Sequence, residues 1–247
     1  MRRTGIGAAV VLALALALCG AGPARCGTIV LNTANDPPNA TDDHTGICDR
    51  IMAEAFKRLG LALEIVKLPS ERALINANEG LDDGNFARVE GLEKQYPNLI
   101  RVAEAITTFE FVAFTAAGTF KTTGWGSLKP YNVGIITGWK ILENNISDVK
   151  SLTKVRDEKL LFGLLAAGRA DVVVYDRRQG QAVLKHIGLR GMTVLEPPLA
   201  VKSMYPYLHK RHAGLVPRLE RTLREMRGDG TFNRIAAEVQ RSPAAGD

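Results

Sequence analysis

The chain is poor in the residues on which several kinds of protein depend. It has 3 cysteines and 4 histidines in 247 residues, too few for a disulfide framework, and too dispersed for a structural zinc site. Only His209 and His212 stand close together, and the segment His209-Lys-Arg-His212 reads as a solvated turn with no third ligand near it. After Leu18 no apolar run approaches the ~20 residues that a membrane-spanning helix needs. No Gly-x-Ser-x-Gly elbow, Walker loop, dinucleotide Gly-x-Gly-x-x-Gly or His-Glu-x-x-His occurs, so the common hydrolase, nucleotide and zinc-protease motifs are missing. Acidic residues are absent from residues 1–26, where Arg2, Arg3 and Arg25 account for half of the net charge of +6; the remaining +3 is not clustered with aromatics, a poor fit to nucleic acid. What remains is a globular composition, 46% hydrophobic and 23% charged with 24 Gly and 11 Pro scattered along the chain. That excludes disordered, collagenous and coiled-coil chains and suits one large domain or two small ones.

The first 26 residues have the order of a secretory signal peptide: Arg2-Arg3, an apolar run from Ile6 to Leu18, then small residues with Gly and Pro. An uncleaved N-terminal anchor is the alternative. Ala24-Arg25-Cys26 offers small residues at the positions that a signal peptidase reads, making Gly27 the expected mature N-terminus, with earlier cuts near Ala17 or Ala21 as alternatives. Leu16-Ala17-Leu18-Cys19 departs from a lipoprotein box by carrying Leu where a small residue belongs. A cut after Cys26 leaves Cys48 as a lone buried thiol, and an earlier one keeps Cys26 as a candidate disulfide partner. The expected location is the periplasm.

Beyond that segment strands and helices alternate. Thr28–Thr33 reads as a strand stopped by Asn35-Asp-Pro-Pro-Asn39, and Ile47, Ile51, Ala55 and Leu59 recur at helical spacing before Gly60. Leu61–Leu68 reads as a strand, Pro69 opens a weaker helix closed by Gly80, and Asp82–Phe86 leads into another strand. After an apolar, β-branched stretch over 104–117 and a Thr/Gly-rich loop, a second unit follows: a strand at 131–136, helices at 138–145 and 160–168, a strand buried on both faces at 170–175, a helix at 179–187 and a strand at 192–195. An extended segment at 199–208 then leads to two helices with apolar stripes at Leu215, Leu219, Leu223, Met226 and at Phe232, Ile235, Ala236, Val239; Arg218, Arg221 and Arg224 fall on the wet side of the first. Two such units predict two α/β lobes that share a cleft beyond the carboxyl ends of their strands, with connections near 108–116 and 198–208.

Three strand ends carry side chains suited to a small polar ligand. Arg88 follows a strand, and a guanidinium holds a carboxylate by two hydrogen bonds; its alternative is a solvated charge. Thr137-Gly138 opens a helix where free N–H groups favour an anion, and Asp176 stands before another helix as an acceptor for an ammonium; the alternative for both is a plain helix cap. Glu71 beside Arg72, and Glu104 with Glu110, read as rim charges, since their spacing fixes no catalytic partner.

These segments together resemble bacterial extracellular solute-binding proteins of the polar-amino-acid type (family 3), which serve ABC importers. The resemblance covers nearly all of residues 28–241. It rests on Ser127-Leu-Lys, Val133-Gly-Ile and Thr137-Gly138, on Leu164-Leu-Ala-Ala-Gly-Arg-Ala-Asp-Val-Val-Val-Tyr-Asp176, on Glu196-Pro-Pro-Leu199 and on Met226-Arg-Gly-Asp-Gly-Thr-Phe232. It implies the two-lobed, twice-hinged type II periplasmic binding protein fold, with lobe one formed by residues 27–112 and 205–247 and lobe two by 113–204. It also implies a monomer that binds a small solute, an amino acid or related zwitterion, for an ABC permease, without metal, cofactor or catalysis. A dehydratase on the same fold and a ligand sensor for a membrane receptor are the alternatives. In this pattern Arg88 and Thr137-Gly138 take the ligand carboxylate and Asp176 its ammonium, with Asp36, Glu71 and Arg72 as further ligand-binding candidates. The first half departs from the family pattern, in which a Thr-x-x-Arg signature carries the clamping arginine: Phe86-Ala-Arg88 arrives earlier and no Thr precedes it.

Overall fold

Short β-branched runs alternate with amphipathic stretches, and the chain folds element by element along them. In the computed structural model, which describes residues 27–241, strand β1 (Ile29–Thr33) is followed by α1 (Ile47–Arg58), β2 (Leu63–Lys67), α2 (Ser70–Glu79) and β3 (Gly84–Arg88). β1 lies between β2 and β3, parallel to both. α1 buries Ile47, Ile51, Met52, Ala55 and Phe56 on one stripe; each large side chain so placed stabilises by about 1.5–3 kcal/mol. β4 (Leu99–Arg101) and the long β5 (Thr107–Thr115) complete the first half.

The second unit contains β6 (Asn132–Ile136), α3 (Lys140–Asn145), β7 (Ser151–Val155), α4 (Glu158–Ala166), β8 (Val172–Asp176), α5 (Arg177–His186) and β9 (Thr193–Val194). The chain returns through β10 (Ala200–His209) to α6 (Val216–Gly228) and α7 (Thr231–Arg241), which pack on α1. Gly60, Gly80, Gly168 and Gly188 all follow helices in the left-handed conformation, as their positions in the sequence predict. β4 and β7 are additions to the predicted elements. β4 has three residues, and β7 is an edge strand whose residues are at most half-buried, so neither carries a strong apolar pattern.

Two long antiparallel strands join the halves. Residues 107–111 of β5 pair with 200–204 of β10; β5 then continues against β8, while β10 continues against β3 and β4. The sheet order β2-β1-β3-β10-β5-β8-β6-β7 therefore passes from one lobe to the other through this crossing pair. The signal-peptide reading, the lipoprotein box and Cys26 concern residues 1–26, outside the described residues. Cys48 is a free, fully buried thiol whose pKa burial pushes far up.

Candidate functional site between the lobes

Arg88 ends β3 and turns inward. The turn comes from Ala87, which is buried in the strand with φ 58°, in the left-handed region, opposite a register shift between Tyr205 and Tyr207 of β10. Arg88 as a residue is only 7% exposed. Its Nε donates to Asn85 Oδ1 at 2.5 Å, Nη1 to Ser70 Oγ at 2.7 Å and Nη2 to the Ser70 carbonyl at 3.1 Å. All three acceptors are neutral, two of the five N–H groups stay uncommitted, and Arg88 takes part in no ion pair among the described residues. Burial lowers its pKa to about 10, against the favourable fields of Tyr96 and Glu71. Asn85 donates in turn to Asn32, whose amide donates to the Ala73 carbonyl at 2.9 Å and to Asp82 Oδ2 at 2.6 Å. A buried amide chain thus fixes the guanidinium from behind.

In front of Arg88 lies a narrow cavity of about 30 Å³ between the lobes. Its walls are mainly apolar, with Leu74, Leu92 and Met204 facing Phe109, Phe111 and Trp139. Trp139 stacks on Tyr175 at 4.6 Å and meets Phe111 edge-on at 5.9 Å, so this wall is rigid. The polar side chains at the cavity are Asn35, Arg88 and Lys140, and among the described residues no carboxylate lines it. A second cavity of about 270 Å³ shares Val89, Leu92, Lys140 and Ile141 with the first and extends past Glu90, Trp125 and Lys202.

Lys140 stands at the junction and bridges the lobes. Its Nζ lies 2.6 Å from Glu71 Oε2 on α2 and 2.8 Å from Glu143 Oε2 on its own helix. Burial lowers its pKa, but those two carboxylates outweigh burial and raise it overall. Glu71 also accepts from the Tyr96 hydroxyl at 3.1 Å. Gly138, with φ 86°, meets the same place from the other lobe: a Cβ there would stand 2.4 Å from the Glu71 backbone nitrogen, which only glycine avoids. Two further cross-lobe bonds are made by Asp36, whose N–H donates to Gln179 Oε1 at 2.7 Å and whose carboxylate accepts from the Tyr175 hydroxyl. The lobes are closed on each other.

The expected ligand residues divide accordingly. Arg88 and Gly138 line the cavity. The Gly138 N–H is taken by Glu143 Oε1 at 3.2 Å and the Thr137 N–H by the Val155 carbonyl at 2.8 Å, so this helix start holds a carboxylate of its own chain. Asp176 does not line the cavity. Its oxygens accept from the Gln179 N–H at 3.0 Å and the Glu110 N–H at 3.1 Å, the helix-cap arrangement, and burial raises its pKa. Asp36 and Glu71 serve cross-lobe bonds, and Arg72 is exposed with no ion pair among the described residues. Glu104 and Glu110 pair with Arg224 and Arg177 at the surface. The turn holding His209 and His212 is exposed, as expected, and is also tied down, since Arg211 and His212 both pair with Asp83. Ser70, Asn85, Trp139 and Lys140 were not singled out by sequence; a Ser after Pro69 and an Asn within an apolar strand are signals that spacing rules pass over.

Two α/β lobes joined by two crossing strands, with a cavity between them, define the type II periplasmic binding protein fold. Among solved structures the chain is similar to the substrate-binding protein of an amino acid ABC transporter, with TM-score 0.72 and 18% identity over 87% of this chain and 100% of that one. It is equally similar to a histidine kinase sensor domain related to periplasmic binding proteins, with TM-score 0.75 and 18% identity over 87% and 96% of the two chains. An uncharacterized protein of Shewanella oneidensis is 26% identical over 226 residues, 87% of this chain and 83% of its own length. No family model matches the sequence.

Proposed function

We propose that the protein is a solute-binding receptor, which closes its two lobes around a small carboxylate-bearing molecule held by Arg88. The observation that carries this reading is the guanidinium itself: it is buried at the interlobe cavity, fixed by neutral partners, and has no counter-ion among the described residues. Burying a charge without a partner is costly, so such a group is retained where a ligand supplies the opposite charge. The protein then acts outside the cytoplasm and presents its ligand to a membrane permease. The sensor alternative, in which the closed form reports occupancy to a membrane receptor, draws support from the similarity to a kinase sensor domain. Binding is favoured over a dehydratase, because the general-acid candidate at the cavity, Lys140, has its ammonium held by Glu71 and Glu143.

A thermal-shift screen of the purified protein against small metabolites tests the reading. A ligand at 100 times its Kd adds about 2.7 kcal/mol to stability, so carboxylates should raise the melting temperature by several degrees. Arg88→Gln should weaken a confirmed ligand roughly thirty-fold or more, the ~2–5 kcal/mol expected when one partner of a desolvated pair is removed. A library without a single stabilising carboxylate, or an Arg88→Gln variant of native affinity, overturns it.

A further inference from the structure

A ligand that enters this cavity meets one uncompensated positive group and then apolar walls. The buried fork of Arg88 suits a carboxylate, and Phe109, Phe111, Trp139, Leu74, Leu92 and Met204 suit an apolar body. An α-ammonium on that ligand would find no carboxylate among the described residues that line the cavity beside Arg88: Asp176 does not line it and is capped by two backbone N–H groups, and Glu90 lines only the adjoining cavity. Glu71 and Glu143 are both held by Lys140, at 2.6 and 2.8 Å. Lys140 itself lines the cavity, adding a second cation near any ammonium.

Resting on the reading of the protein as a solute receptor, we propose that its ligands are small monocarboxylates with an apolar aliphatic or aromatic body and no α-amino group. The structure thereby departs from the zwitterion selectivity that the sequence resemblance implies. Each part of the site has its counterpart in such a molecule: the two uncommitted N–H groups of Arg88 meet the carboxylate oxygens, and the chain or ring lies on the Trp139–Phe111 wall. The ammonium of an amino acid would be desolvated in the same place without a partner, and that cost appears directly as lost affinity.

Calorimetry with matched pairs of probes decides the matter. 3-Phenylpropanoate is compared with L-phenylalanine, and 4-methylpentanoate with L-leucine, on the purified wild-type protein and on Arg88→Lys, whose unliganded melting temperature reports whether it folds. The expected result is that at least one carboxylate binds ten-fold or more tightly than its amino acid, and that Arg88→Lys loses at least ten-fold of that affinity. The wild-type comparison stands even if the variant is unstable. Equal affinities within a pair, tighter binding of the amino acid, or binding of neither member of either pair overturns the proposal. The solute-receptor reading outlives each of these results if another carboxylate from the metabolite screen binds through Arg88, and falls only with the screen itself.

Discussion

The residue on which the geometry of Arg88 depends is its neighbour. Ala87 is 2% exposed and holds φ 58° inside a strand, a conformation that costs an L-residue roughly 1–2 kcal/mol and is sustained at sites where it serves a purpose. Here it breaks the regular pairing with β10 and swings Arg88 from the sheet onto Ser70. Ala87→Gly should therefore stay within about 0.5 kcal/mol of wild type, relief of strain offsetting the freer unfolded chain, whereas Ala87→Val should lose about 2 kcal/mol or more, since a β-branched residue fits this region worst. Urea unfolding at constant m measures both, and a Val variant as stable as wild type refutes the strain. The same residue shows where sequence reading stops. A guanidinium at a strand end is legible as chemistry, but a left-handed alanine leaves no mark in the sequence as a glycine would, so the burial of Arg88 and its grip on Ser70 and Asn85 were not. For Asp176 the sequence left a cap and a ligand group as alternatives, because both need the same residue before a helix; only the positions of the Gln179 and Glu110 N–H groups distinguish them.

At the scale of elements the alternation of strand and helix was legible almost throughout, since each helix carries an apolar stripe and several end in a left-handed glycine. What escaped were elements that short-range pattern does not specify, the three-residue β4 and the edge strand β7. The start of α1 makes a prediction of its own. Asp49 Oδ2 accepts from the Thr41 N–H at 2.9 Å and the Gly46 N–H at 3.2 Å, while its other oxygen is buried without a partner. Burial outweighs those bonds and raises its pKa to about 6 from 3.8. A carboxyl whose pKa is higher in the folded state binds its proton more tightly there, so its share of stability is greatest at low pH and is lost as pH rises from about 4 to about 6. A rise of that size is worth at most about 3 kcal/mol. Asp49→Asn keeps an acceptor for the two N–H groups and removes the titration. The difference in unfolding free energy between wild type and variant, followed from pH 4 to 7, should move steadily in favour of the variant and level off above pH 6. A difference independent of pH would contradict the raised pKa.

For the whole molecule, the consequence of the cross-lobe bonds is that the closed form draws part of its stability from the protein itself. Lys140–Glu71, Asp36 N–H to Gln179 and Tyr175 to Asp36 join the lobes directly, while the β5–β10 pair is, among the described residues, the only strand pairing that crosses between them. A receptor must open to load, so the closed and open forms have to lie within a few kcal/mol of each other, and each bridge sets part of that gap. The Lys140–Glu71 pair is partly exposed, with side-chain exposures of 13% and 35%, and is worth about 0.5–1 kcal/mol after solvent screening; the buried Tyr175 hydrogen bond, made to a carboxylate, adds about 1.5–3 kcal/mol. Glu71→Gln combined with Tyr175→Phe should thus shift the ligand-free equilibrium toward the open form by roughly thirty-fold or more. Small-angle scattering should then show a larger radius of gyration for the ligand-free double variant than for wild type, and the same radius for both once a carboxylate saturates the cleft. Because ligand must now supply the free energy of closure that the bridges supplied, its affinity should fall by up to that factor, reaching it where the double variant is mainly open without ligand. A double variant whose ligand-free radius and affinity both match wild type would mean that these bonds follow closure without stabilising it, and that the position of the lobes is set by the β5–β10 crossing alone.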